Sequence, residues 1–156
     1  ISKNSILINY FLENTGEKKI ITDEYVHNFM AINNALIGED YTLKFPFPIN
    51  PSLFDETVNN ENAVEIGLDN ITFNKTPEQQ FFFSNLTGGK ELEAEWTLTN
   101  LKANVGIKEI GNFKTDKINL WGWKHVISPE LFFKISLIPG KSLEWSRKFE
   151  VFKINS

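Results

Sequence analysis

The chain has 156 residues, a size suited to one domain with a real core, and neither an internal repeat nor a composition break marks a second one, so residues 1–156 read as a single domain. A net charge of -4 leaves no basic footprint for nucleic acid or an anionic membrane surface, and no apolar run approaches the ~18 residues of a spanning helix. The absence of cysteine removes disulfides, thiolate nucleophiles and cysteine-ligated metals, without fixing a compartment; the chain reads as soluble, cytoplasmic or periplasmic.

In chain order, residues 6–12 alternate in extended fashion, Asn14-Thr15-Gly16-Glu17 supplies turn chemistry, and 19–30 form a second extended run. The pattern predicts a β-hairpin with His27 near the far end of its return strand. A strand at 41–45 ends in Pro46-Phe47-Pro48, where a missing amide donor and fixed φ discourage further pairing, so the stretch to 61 is loop or sheet edge. Short strands follow at 63–68, 71–73 and 80–86. Gly88-Gly89-Lys90 lacks the spacing of a phosphate loop and reads as a hairpin turn. Leu92, Ala94, Trp96 and Leu98 alternate with Glu93, Glu95, Thr97 and Thr99, the signature of a strand with one buried and one solvated face. Runs at 117–123, 125–137 and 143–154 close the chain, with Pro139-Gly140 as a turn between the last two. Trp96 and Trp145 are assigned to packing. No segment of ten residues carries a helical stripe, and 14 phenylalanines favour pleated, half-buried surfaces. The expected architecture is all-β, an antiparallel β-sandwich.

Chemistry concentrates in two places. In Tyr25-Val26-His27-Asn28-Phe29, period-two geometry points Tyr25, His27 and Phe29 the same way, so an imidazole that titrates near neutral pH sits between aromatic rings. Taken alone, a histidine is more often a satisfied core residue than a functional one. Its weight comes from a second cluster, Trp121-Gly122-Trp123 followed by His125 and Ser128-Pro129-Glu130. Aromatic faces pack against the C–H face of a pyranose while polar groups take its hydroxyls. Glu130 suits either a functional carboxylate or a salt bridge at a strand end. His27 and His125 do not form a local metal motif and no H-E-x-x-H is present, so no metal site is predicted.

The run from Leu12-Glu13-Asn14-Thr15-Gly16 to Val26-His27-Asn28-Phe29, then Tyr41-Thr42-Leu43-Lys44-Phe45-Pro46-Phe47, and finally Ser128-Pro129-Glu130 to Pro139-Gly140 and Trp145, resembles the C-terminal half of an aldose 1-epimerase, or galactose mutarotase-like, protein. The resemblance covers nearly the whole chain and implies the C-terminal portion of a large antiparallel supersandwich. His27 and Glu130 match the positions of a catalytic histidine and a late glutamate. The implied reaction is ring opening of a reducing sugar, with Glu130 as base on the anomeric hydroxyl and His27 as acid on the ring oxygen, and the resemblance implies no cofactor. Tyr25, Asn28, Phe29, Trp121 and His125 are the candidate sugar-binding residues, His125 by its place in the aromatic cluster and not by the resemblance. By analogy with paired groups flanking a sugar, the functional atoms of His27 and Glu130 are expected roughly 5–9 Å apart. His27 stands in Val-His-Asn-Phe and Glu130 in Ser-Pro-Glu, both departures from the commoner family motifs, which points to a distinct branch. The family's remaining sugar-contacting histidine and basic residues lie in an N-terminal half, so this chain is expected to carry half a site. Sheet edges left open would favour homo-oligomers. The alternatives to an epimerase-like protein are a non-catalytic carbohydrate-binding sandwich and an accessory domain of a polysaccharide-processing enzyme.

Overall fold

The computed structural model describes residues 4–154. Its elements are β1 (Ser5–Glu13), β2 (Ile20–Glu24), β3 (Tyr41–Lys44), β4 (Thr57–Val58), β5 (Val64–Ile66), β6 (Asn70–Phe73), β7 (Phe81–Phe83), β8 (Leu92–Asn100), β9 (Val105–Thr115), β10 (Ile118–Trp123), β11 (Val126–Leu131), β12 (Phe133–Leu137) and β13 (Ser142–Lys153), with one 3-10 turn at Pro51–Leu53. Among the described residues there is no α-helix. A seven-stranded sheet runs β1-β13-β9-β8-β3-β6-β5, a four-stranded sheet β11-β10-β7-β4, and β12 pairs with β2. All the pairings are antiparallel. The architecture is the expected all-β sandwich.

The core forms where the inward faces of the two larger sheets meet. Ala94, Trp96 and Leu98 of β8, with Leu43 of β3 and Ile71 and Phe73 of β6, join Phe81 and Phe83 of β7, Ile118 and Leu120 of β10 and Leu131 of β11 in one buried cluster. Phe73 and Phe81 meet across the layers at 5.7 Å between ring centroids. Gly122 stands opposite Phe81 in the β10–β7 ladder, and a β-carbon there would lie 2.2 Å from the Phe81 ring. That close approach is why a glycine separates the two tryptophans of β10.

Three expectations are corrected. The hairpin of 6–12 with 19–30 does not form: β1 pairs with β13, placing Tyr10 opposite Trp145, and β2 pairs with β12. The intervening turn is tied to the distant Pro139-Gly140 turn instead. Asn14 Nδ2 donates to the carbonyls of Lys18 and Leu137, both at 2.9 Å. Backbone bonds Asn14 N to Lys141 O (2.9 Å) and Gly140 N to Asn14 O (2.8 Å) complete the tie, so the two strands leave for different sheets. The run 125–137 breaks at Phe132, whose N–H turns to the Lys117 carbonyl at 3.1 Å, and its second part, β12, leaves the four-stranded sheet. Gly88-Gly89 is a corner between sheets rather than a hairpin turn, with φ of 62° and 78° that suit glycine.

Residues 105–115, unassigned from the sequence, form an 11-residue strand inside the large sheet, between β13 and β8. Trp96 and Trp145, assigned to packing, are both buried. Trp145 stacks on Tyr10 at 5.1 Å and contacts Phe133 at 5.1 Å. Glu93 and Glu95 take the solvated side of β8, paired with Lys114 and Lys108. β1 is an edge strand; Ile6, Leu7, Ile8 and Phe11 on it are exposed.

Candidate active face

β2 ends at Glu24 because that carboxylate is drawn inward: Oε2 accepts from Arg147 Nη2 at 2.7 Å and from Trp145 Nε1 at 3.1 Å. The next five residues leave the ladder. Two tight backbone contacts, Asn28 N to Val26 O (3.1 Å) and Phe29 N to His27 O (3.2 Å), bend the segment until Met30 exchanges backbone hydrogen bonds with Ile127 of β11. His27 therefore lies in an irregular segment, not mid-strand as the sequence suggested. The alternation survives: Tyr25, His27 and Phe29 are exposed, and Asn28 between them is buried.

The β10–β11 hairpin supplies the floor. Its register sets Asn119 opposite Glu130 and Trp121 opposite Ser128, and the pleat puts all four on the same face. Segment 25–29 crosses that face so that His27 Nδ1 stands 2.8 Å from Glu130 Oε1. The imidazole is 55 % exposed and the carboxylate 3 %. Tyr25 contacts His27 at 5.3 Å and stacks on Phe132 at 4.4 Å. Phe29 contacts His27 at 5.8 Å and Trp121 at 5.6 Å. The result is an open aromatic face with an imidazole at its centre and a carboxylate beneath.

Burial pushes the Glu130 carboxyl above its ordinary pKa, and the nearby His27, Asn119 and Ser128 side chains pull it partly back. The Ser128 hydroxyl is sealed from solvent without a hydrogen-bond partner. Nδ1 of His27 is engaged by the carboxylate, while Nε2 has no hydrogen-bond partner among the described residues. A neutral imidazole held this way keeps its proton on Nδ1 and presents the lone pair of Nε2 outward.

The structure thus brings His27, Glu130, Tyr25, Phe29 and Trp121 together, although they span more than a hundred positions. The expected gap of several ångströms between His27 and Glu130 is absent: they are in direct contact, because the irregular segment lies flat on the hairpin. Asn28 faces the other way, its amide donating to Glu109 Oε2 at 2.8 Å inside the protein. His125 sits exposed in the turn between β10 and β11, edge-on to Trp123 at 5.7 Å and outside the aromatic cluster. Among the described residues no group of His, Cys, Asp and Glu is placed to hold a metal.

One polar centre escaped the sequence reading. Glu109 and Arg147 are both fully buried, joined at 2.9 Å between Oε1 and Nη1. Glu109 Oε2 also accepts from Trp96 Nε1 at 2.7 Å and from Asn28. Arg147 Nη2 donates to Glu24 and to the Leu131 carbonyl at 2.9 Å, and the guanidinium lies over the Phe113 ring at 4.9 Å. A glutamate between Lys108 and Ile110, and an arginine beside Lys148, look like ordinary surface charges in sequence.

No protein-family model matches the chain, and none of the curated proteins does. Solved structures do. The Slr1438 protein of Synechocystis sp. PCC 6803 superposes with a TM-score of 0.64 at 13% identity, covering 98% of this chain and 52% of that one. A galactose mutarotase related enzyme from Lactobacillus acidophilus gives 0.62 at 11% identity, over 100% of this chain and 60% of that one. A galactose mutarotase-like protein from Lactobacillus casei gives 0.60 at 13% identity, over 97% and 60%. The fold is galactose mutarotase-like. The chain spans little more than half the length of these neighbours.

Proposed function

We propose that the chain is the C-terminal portion of an aldose 1-epimerase-like protein, and that the face built by Tyr25, His27, Phe29, Trp121 and Glu130 receives a reducing sugar. The observation that carries this reading is the His27–Glu130 contact at 2.8 Å at the centre of an exposed aromatic surface. Rings of this kind take the C–H face of a pyranose, and the polar pair takes its hydroxyls.

The direct contact alters the roles implied by the resemblance. Glu130 holds Nδ1, and Nε2 of His27 is the proton-transferring atom. It removes the anomeric hydroxyl proton and returns a proton to the ring oxygen as the C1–O5 bond breaks and the aldehyde forms. Both oxygens are bonded to C1, so one imidazole can reach each in turn. Rotation about C1–C2 and the reverse sequence give the other anomer. No electron is gained or lost and the proton is conserved. Glu130 steadies the imidazolium that forms transiently, and removing a positioned acid–base group of this kind costs about 10²–10⁴-fold in rate.

Saturation-transfer NMR with glucose and galactose tests the binding half of this reading, and polarimetry of freshly dissolved α-anomers tests the turnover half. The expected result is saturation transfer that Trp121→Ala weakens, with slow mutarotation from this chain because half of a neighbour-sized domain supplies fewer hydroxyl contacts. Glu130→Gln should lower that rate far more than it lowers binding. No saturation transfer to any aldose would overturn the assignment. Retained binding with a rate that ignores both His27→Ala and Glu130→Gln would favour the non-catalytic carbohydrate-binding sandwich.

The exposed apolar residues Ile6, Leu7, Ile8 and Phe11 on the edge strand β1 support a further proposal, that this chain by itself forms homo-oligomers by strand addition. Sedimentation should show self-association that Leu7→Lys reduces; a monomer at all concentrations would count against it.

A further inference from the structure

We infer that the buried Glu109–Arg147 pair is the positioning device of the His27–Glu130 pair. Each partner of the buried couple grips the residue directly after one member of the exposed one. Glu109 Oε2 accepts from the side chain of Asn28, next to His27, at 2.8 Å. Arg147 Nη2 donates to the carbonyl of Leu131, next to Glu130, at 2.9 Å. Glu109 and Arg147 are themselves joined at 2.9 Å and wholly shielded from solvent. One charge centre therefore ties together two backbone segments whose direct backbone link is the single Met30–Ile127 bridge.

The need for such a device is local. Residues 25–29 have no ladder hydrogen bonds to hold them, and His27 and its flanking rings are exposed. What anchors the segment at its middle is the inward-pointing Asn28 amide. Arg147 also holds Glu24, where β2 ends and the segment begins, through Nη2 at 2.7 Å. Tension at the centre is thus transmitted to the start and the middle of the His27 segment and to the Glu130 strand. A buried ion pair gives little net stability over an apolar replacement, and fixing a unique geometry is a role it can fill.

The chemical meaning of this inference rests on the proposed function, but its test uses the sugar-free protein, so failure to bind sugar leaves it intact. The readout is the ¹⁵N chemical shifts of the His27 imidazole at fixed pH, which report which nitrogen carries the proton. In the wild type the Nδ1–H form should predominate, and Glu130→Gln should reduce it. Asn28→Ala should move the His27 shifts at least half of the way from wild type to Glu130→Gln. Ile71→Val, a core change away from the face, should lower stability without moving them. Asn28→Ser replaces Asn28→Ala should the latter not fold. Folded Asn28 variants with wild-type His27 shifts, or Ile71→Val moving them equally, would overturn the positioning role.

Discussion

Two buried glutamates lie on either side of one short segment of backbone, and they differ in what their partners can do. Glu109, fully enclosed, faces three N–H donors, from Arg147, Trp96 and Asn28. None of these groups can accept a proton from it, so the carboxylate is the form that fits the site. Glu130, almost as deeply buried, faces an imidazole that is more than half exposed. Burial pushes both carboxyls above the ordinary range, opposed by Arg147 in one case and by His27 in the other. A guanidinium only donates, whereas a neutral imidazole donates from one ring nitrogen and accepts at the other. The same carboxylate chemistry thus becomes a fixed joint inside the sandwich and a pair with a half-exposed partner at its surface.

Breaking the fixed joint should be the most costly change. Arg147→Met leaves the Glu109 charge buried with its strongest partner gone, and a loss of about 3–5 kcal/mol in unfolding free energy is expected from urea denaturation. Adding Glu109→Gln to that variant should recover part of the loss, since the stranded charge is then removed. Recovery failing to appear would mean that packing, not charge, dominates at the joint.

Trp96→Phe is the next largest. It keeps most of the ring volume but deletes the 2.7 Å bond from Nε1 to Glu109. Hydrogen bonds to charged groups are worth about 1.5–3 kcal/mol, and the urea midpoint should fall accordingly.

Glu130 should show itself through pH. The folded protein holds the Glu130 proton more tightly than the unfolded chain, because desolvation raises its pKa more than His27 lowers it. This contribution to stability is complete below the unfolded carboxyl value of about 4.3 and is lost as pH rises through the raised folded value. Glu130→Gln should therefore flatten the decline in stability across that window, in a series of urea unfolding curves. Glu109 contributes with the same sign, so the slope shrinks rather than vanishes. An unchanged slope would show that Glu130 is ionised in both states alike.

His125→Ala should do least. The residue is exposed in a turn and touches Trp123 alone among the aromatic residues, so a change within about 0.5 kcal/mol is expected. The His27 ¹⁵N shifts should stay at their wild-type values. A measurable shift would extend the candidate face along β10 to the turn.

The sequence by itself determined the all-β class, most strand positions and the shared side of Tyr25, His27 and Phe29, since alternation and turn residues are local properties. It also singled out Glu130 and Trp121 among the chain's carboxylates and tryptophans. Tertiary structure alone decided which strands pair, because the turn at Asn14 is tied to residues more than a hundred positions away. It decided that His27 touches Glu130 instead of facing it across a gap, and that Asn28 turns inward. It also turned Glu109 and Arg147 from apparent surface charges into the buried centre of the sandwich. The physical reason is that a charged side chain carries no local mark of its burial: only the strands that close over it, and the donors they bring, make an enclosed carboxylate affordable.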